Sequence, residues 1–311
     1  MAVADFISRL VQRHRKWTFE TARRISGAQT VFIHIPKSAG TAFGHSLTDA
    51  LHASSTLAGF DHCLFGAFQQ FETIAPEVRA SIYGPADPIP KTAEVVVGHF
   101  AVSTVRRFYP GANYCTVLRE PISRLLSHWL YWRQQSDEEL ALWGAPWKNR
   151  VFRARLPLVE FLRDPEIACQ TDNLEVRMLL WPDSRIPKGD FICRRQDRAL
   201  LTDAIATLRR FDFVDFTENP DLALNVGKWI GTPFVFKRMN ETRQERAEFP
   251  VNLQKELTAE VFGLLENRTR LSLRLWRKIF KRRRPNEDSG LIRERILRST
   301  IERQKRVQLD R

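Results

Sequence analysis

The sequence predicts an α/β protein built on a doubly wound parallel sheet with helices on both faces. Two observations carry this expectation. Short apolar runs rich in β-branched and aromatic residues recur at 30–35 (TVFIHI), 94–100 (EVVVGHF), 114–118 (YCTVL) and 211–216 (FDFVDF). Between them stand stretches whose apolar residues follow a helical period. Strands that alternate with helices favour a parallel sheet, because each crossover returns the chain to the start of the next strand.

From the N-terminus, Val3, Phe6, Ile7, Leu10, Val11, His14 and Trp17 fall at helical spacing, with Arg9, Arg13, Arg15 and Lys16 between them. This predicts a basic amphipathic helix in a segment covering 1–29. Residues 30–35 read as a buried strand. It runs at once into 36–41 (PKSAGT) and a helix through Phe43, Leu47 and Leu51. Residues 54–93 carry Gly and Pro at intervals and are expected to be irregular, with short helices. A second strand follows at 94–100. A third, at 114–118, leads through Arg119, Glu120 and Pro121 into a helix from 122 to about 135. Residues 137–190 are rich in Trp, Pro and Arg and read as broken helix. After a fourth strand at 211–216, Asn219, Pro220 and Asp221 read as a helix start, and Gly231 as its end. Residues 237–249 read as a polar loop. A last long helix is expected from near Leu253 to 281–284 (KRRR) and Pro285, then a linker at 286–290 and a short terminal helix. The expected organisation is therefore one domain at 30–267 and a basic helical extension at 268–311.

The charge follows that division. Lys and Arg number 49 against 36 Asp and Glu, a net +13, which suggests a polyanionic partner. Residues 1–30 hold +4 and residues 268–311 hold +11, whereas 31–267 sum to −2. Anion handling in the body must then be local. The excess lies on two amphipathic stretches, 3–17 and the stripe Leu264, Leu271, Leu275, Trp276, Ile279 and Phe280 ahead of 281–284. Such stretches fit either peripheral docking on an anionic membrane or helices packed on the domain with solvated charged faces. A content of 43% hydrophobic and 11% aromatic residues excludes a disordered chain. No apolar run approaches the roughly 20 residues of a membrane span, and the N-terminus has no apolar signal region. Cys63, Cys115, Cys169 and Cys193 are widely spaced with no CxxC pair, so neither a zinc site nor a disulfide framework is expected.

The strand–loop–helix unit at 30–51 is the strongest local signal. Small residues let a main chain curl so that successive N–H groups face an anion, and the helix start adds its partial positive charge. Lys37 adds a mobile cation. Ser38, Thr41 and Ala42 offer hydroxyl or N–H donors. The nucleotide-triphosphatase loop G-x-x-x-x-G-K-[ST] is excluded, because Lys37 precedes Gly40 by three residues. The loop reads as a 5′-phosphate site without an NTP–magnesium complex.

FIHIPKSAGT resembles the 5′-phosphosulfate loop of the PAPS-dependent sulfotransferases, and within them the carbohydrate, uronyl 2-O-sulfotransferase-like branch with its bacterial relatives. Their loop often reads PKTAGT; Ser38 keeps the hydroxyl. A second motif agrees in order and spacing: Arg119, Pro121 and, eight residues after the Arg, Ser127, with Arg124 between them. In the family these positions hold the 3′-phosphate. Residues 173–179 resemble a segment near the acceptor. Residues 213–218 resemble a late strand, and 239–243 a loop over the adenosine that makes Arg243 a candidate ligand. The resemblance spans about three-quarters of the chain. It implies a P-loop-NTPase-like sulfotransferase fold with a helical C-terminal extension, and 3′-phosphoadenosine 5′-phosphosulfate (PAPS) as co-substrate. It also implies a donor site formed by Pro36, Lys37, Ser38, Ala39, Gly40, Thr41, Ala42, Arg119, Ser127 and Arg243. The acceptor implied is a glycan, and neither a metal nor nucleic acid is expected. The eukaryotic relatives carry an N-terminal membrane anchor; its absence here points to the cytoplasm, with contact at the inner face of the membrane.

Sulfuryl transfer needs a base for the acceptor hydroxyl and a cation at the leaving phosphate. Lys37 suits the second role. His99 suits the first, since it ends a strand of a parallel sheet, where ligands gather. The resemblance places the family's base His at an equivalent point. His62 is the rival base, and Glu94 a weaker one because it begins its strand. His34 reads as structural, and His128 as packing. Arg106, Arg107, Arg153, Arg155, Arg177, Arg194 and Arg195 could line a cleft for an acidic glycan or lie on the surface as solvated side chains. Two other readings stand beside this one: a P-loop-like kinase or nucleotide-binding enzyme, and a non-catalytic basic protein that binds membrane or nucleic acid.

Overall fold

In the computed structural model of the chain, residues 23–84, 86–236, 249 and 251–309 are described, with 303–309 as main chain alone. Six strands form one sheet: β1 (Thr30–Ile33), β2 (Thr56–Asp61), β3 (Ile82–Tyr83), β4 (Val95–His99), β5 (Asn113–Leu118) and β6 (Phe213–Phe216). The order is β3-β2-β4-β1-β5-β6, and every pair is parallel. The principal helices are α1 (Gly40–Ala50), α2 (Val102–Phe108), α3 (Pro121–Arg133), α4 (Leu174–Leu180), α5 (Asp197–Leu208), α6 (Leu222–Ile230), α7 (Ala259–Arg283) and α8 (Ser289–Leu309). Shorter helical turns fill the segment before α4.

Successive side chains of β1 point to opposite faces. Phe32 packs with Phe43 and Leu47 of α1 and with Val226 and Trp229 of α6. Val31 and Ile33 join the larger core with Val105 of α2, Leu125 of α3, Leu200 of α5 and Leu275 and Trp276 of α7. The helix after β1 therefore covers one face, whereas those after its neighbours β4 and β5 cover the other. Adjacent parallel strands whose connections leave to opposite faces open a crevice at their C-terminal ends. Here that crevice lies where β1 ends at Ile33, β4 at His99 and β5 at Leu118.

The four expected strands are present, three of them with trimmed ends and the third, β5, starting one residue earlier at Asn113. Two strands went unseen in the segment expected to be irregular. β2 is half exposed and holds Ala58 and Gly59 in place of a β-branched run, and β3 is a two-residue edge strand. Gly59 is required there, since a Cβ would lie 2.7 Å from the Tyr83 ring and 2.8 Å from the Ser81 carbonyl. Neither strand needs the apolar pattern that a central strand shows.

Helix ends also moved. Asn219 does not cap the helix expected to start there. Its amide donates to buried Asp215 (2.9 Å) and its carbonyl accepts from Asp221 N–H (3.1 Å), so α6 begins at Leu222. Gly231 does end α6, with φ 80°. The long helix expected from Leu253 is interrupted: a short turn (Leu253–Glu256) precedes α7, where Thr258 Oγ1 accepts from Val261 N–H. The boundary expected between 267 and 268 falls inside α7, and Leu265 and Leu271 share one core. Residues 271, 275, 276, 279 and 280 of the apolar stripe are buried, so α7 has no such face to offer a membrane. The terminal helix is 21 residues long, not short. The N-terminal helix expected at 3–17 lies outside the described residues. Residues 24 and 25 tie to the domain through Arg24 N–H to Trp229 O and Ile25 N–H to Asn113 Oδ1, both 2.9 Å. Among the described residues no helix is long and apolar enough to cross a membrane.

Candidate functional site

The loop after β1 is turned by two left-handed residues that are not glycine, Lys37 (φ 66°) and Ala39 (φ 55°). Such conformations are costly for side-chain-bearing residues and concentrate at binding sites. They flank Ser38, which is 1% exposed and whose Oγ has no hydrogen-bond partner among the described residues. The first-turn N–H groups of α1, at Gly40, Thr41 and Ala42, have no intrahelical acceptor. Among the described residues no acceptor takes these N–H groups. Pro36 is buried, Ala42 half-buried and Thr41 exposed. The result is a concave run of donors at a helix start.

Gly40 serves a close approach. A Cβ there would lie 1.8 Å from the His34 ring. With the glycine, that ring stacks on Phe32 (5.7 Å) and meets the His99 ring at 4.2 Å. The His34 carbonyl also takes a 2.7 Å bond from His99 Nδ1. A carbonyl can only accept, so Nδ1 carries the proton and the Nε2 lone pair of neutral His99 is free. His34, read as structural from sequence, thus sets the tautomer of the candidate base. Burial holds the His99 pKa down to about 4, the His34 carbonyl opposes that shift, and Lys37 adds to it.

Lys37 Nζ stands 3.9 Å from the centroid of the Tyr131 ring on α3. Burial first, and then Arg119, pull its pKa down to about 8. Arg119, at the end of β5, donates from Nη1 to the Lys37 carbonyl at 3.0 Å, which fixes the loop to the neighbouring strand. Glu120 caps α3 by accepting from Ser123 N–H (2.7 Å), and Ser127 is half-buried farther along the helix. The structure therefore brings Lys37, Ser38, His99 and Arg119 together at the C-terminal ends of the central strands β1, β4 and β5.

Other expected residues fall elsewhere. His62 lies flat on Phe71 (4.3 Å, 4°) beyond the end of β2, beside Arg79 and Asp61 rather than Lys37. Glu94 is exposed at the opposite end of β4 and binds Ser54. Arg124 is buried and pairs through Nε with Glu175 of α4 at 3.0 Å, while its Nη1 has no hydrogen-bond partner among the described residues. Arg177 is fully engaged with Asp172 and with the carbonyls of Pro187 and Asp190. The other proposed cleft arginines do not converge: Arg106 covers Tyr114, Arg107 Phe108, and Arg153 pairs with Asp164. Arg155 sits between Phe152 and Phe249, and Arg194 reaches Asn267. Arg195 is exposed, and Arg243 lies outside the described residues.

The sequence reading gave two residues no role at the site: Glu218 fell in a late strand and His128 was read as packing. Glu218, just beyond β6, accepts from Glu120 N–H at 2.9 Å while its other oxygen has no hydrogen-bond partner among the described residues, and burial raises its pKa against the pull of that N–H and of Arg119. His128 is 3% exposed and neither ring nitrogen has a partner among the described residues. Its position one helical turn after buried Arg124 was the available signal. Among the described residues no group of three or more His, Cys, Asp or Glu could hold a metal ion.

Fold and site together define an α/β protein, consistent with a P-loop-like architecture, whose central strand runs into a donor-lined loop. Compared with known protein families and with curated proteins, the chain finds no match.

Proposed function

We propose that the chain is a sulfotransferase that moves a sulfuryl group from PAPS to a hydroxyl of an acceptor, a glycan on the strength of the family resemblance. The observation that carries this reading is the pairing of the strained loop, with its unbonded buried Ser38 hydroxyl and neighbouring Lys37, and an imidazole whose Nε2 is free. The loop offers N–H, hydroxyl and ammonium donors, which suit the acceptor-only oxygens of a phosphosulfate. His99 Nε2 takes the proton of the attacking hydroxyl as its oxygen bonds to sulfur. Lys37, Ser38 and the α1 N–H groups hold the charge that builds as the bond from sulfur to the bridging oxygen breaks and its electron pair leaves with the 5′-phosphate. Arg119 and Ser127 hold the 3′-phosphate.

Labelled sulfate supplied as PAPS with a polysaccharide extract should appear in the polymer fraction. Calorimetry should detect 3′-phosphoadenosine 5′-phosphate (PAP) and not ATP–magnesium; the reverse would overturn the reading in favour of a kinase-like enzyme. His99→Ala should still bind PAP while transfer is nearly abolished, and retention of most activity would remove His99 as the base.

A further inference from the structure

We propose that His128 is a binding residue of the loop site, donating one ring N–H, in its neutral form, to the anion held there. This rests on reading the loop as an anion site. Arg124, His128 and Tyr131 succeed one another at i, i+4 and i+7, so they share one face of α3. That face looks at the loop, because the Tyr131 ring carries Lys37 Nζ at 3.9 Å. His128 therefore lies one turn from the lysine contact, with its ring packed on Trp132 at 4.5 Å.

A side chain that only packs should not leave two buried nitrogens unbonded, since each forfeits its bonds to water. The unbonded buried Ser38 hydroxyl has the same character on the loop side. Burial, and then Arg124, Lys37 and His99, hold the imidazole well below its ordinary pKa. It thus stays neutral, with one N–H to give and no further cation to add beside Lys37 and Arg124. Such a donor adds direction to a site whose charge is already supplied.

The test uses the full chain, inorganic pyrophosphate and, separately, PAP, with binding followed by calorimetry and by the anion-induced rise in melting temperature. His128→Leu should melt, without anion, no lower than the parent, because it removes unbonded buried polar atoms. It should bind pyrophosphate roughly tenfold or more weakly. Unchanged pyrophosphate affinity would overturn the proposal. If the leucine variant does not fold, His128→Asn and His128→Gln decide: one amide places N–H near Nδ1 and the other near Nε2. Affinity kept by one of the two supports a donor role, and equal loss in both overturns it. A parent chain that binds pyrophosphate but not PAP would sink the PAPS reading and leave the His128 test intact. A parent that binds neither would overturn both.

Discussion

Two regions of this protein bury polar groups in opposite ways. Beneath α4 and α7, Asp172 is fully buried, and every strong partner is in place: Arg177 at 2.9 Å, the Ile192 N–H at 2.9 Å and Arg270 at 3.7 Å. Nearby, the amide side chain of Asn173 accepts from Leu271 N–H at 2.7 Å, splicing α4 to α7. At the loop, Ser38 and His128 are also buried, yet their side-chain polar atoms have no hydrogen-bond partner among the described residues. Buried polar groups are normally satisfied. The closed cluster therefore reads as scaffold, and the open one as a surface completed by something that binds.

The largest effect that would test this contrast lies in the closed cluster. Asp172→Ala leaves Arg177 and Arg270 without their buried carboxylate and should cost about 3–5 kcal/mol of stability, measured by urea unfolding. PAP affinity of the fraction still folded should be unchanged. The loop should behave in the opposite manner. Lys37→Ala should lower transfer roughly 10²–10³-fold with a melting temperature no lower than the parent's, because it also removes a partly desolvated ammonium. A matching fall in stability would make Lys37 part of the scaffold and erase the distinction.

The sequence made the loop region legible and left the closed cluster almost invisible. Lys37, Ser38, Gly40 and Arg119 stand in contiguous motifs set by a strand end, so local order alone announces them. Arg177, read as a possible cleft residue, is instead locked by Asp172, five residues earlier, and by the Pro187 and Asp190 carbonyls, while Arg270, far along the chain in α7, pairs with the same Asp172; only tertiary packing reveals that closure. The same limit explains the C-terminal charge. Arg283 is drawn to Asp215 and the Val214 carbonyl (2.9 Å from Nε), and Arg293 to the Glu120 that caps α3 (3.2 Å), so part of a run read as solvated or lipid-facing is structural. The β2 and β3 strands were missed because a half-exposed strand and a two-residue edge strand bury too little to impose a pattern.

Gly40→Ala tests how the open region is held. The added methyl would meet the His34 ring, and His34 in turn orients His99. Transfer should drop by about 10²-fold, the scale of a small misplacement of a reacting group, while PAP binding falls far less. Equal losses would mean that the glycine serves the cradle and not the base.

The acidity of the site gives a milder perturbation with two signs. His99 must be neutral to accept a proton, so kcat/KM should hold above about pH 4 and fall as pH drops through it. Lys37 must be charged, so the same quantity should decline as pH rises through about 8. A bound donor brings negative charge and should raise both values, shifting the kcat profile upward relative to kcat/KM. Stability carries its own signature. His34, His99 and His128 are all held below the ordinary 6.5. The unfolded chain binds protons there first, and the fold should weaken as pH falls below that value. His128→Leu should blunt that acid weakening, which native-state titration by urea unfolding would measure.

Two buried serines make the finest comparison. Each is 1% exposed. Ser272 of α7 donates to Glu175, which also pairs with Arg124, whereas Ser38 donates to nothing among the described residues. Ser272→Ala should destabilise the protein by about 2 kcal/mol, since a buried carboxylate loses a bond, and should leave donor binding alone. Ser38→Ala should cost the free protein almost nothing, because no bond is lost, yet weaken PAP binding about tenfold. Melting curves and calorimetry on the two variants would give crossed results, each moving only the quantity the other leaves still. If both variants moved stability alone, Ser38 would be one more packed serine and the loop would lose its claim to a ligand.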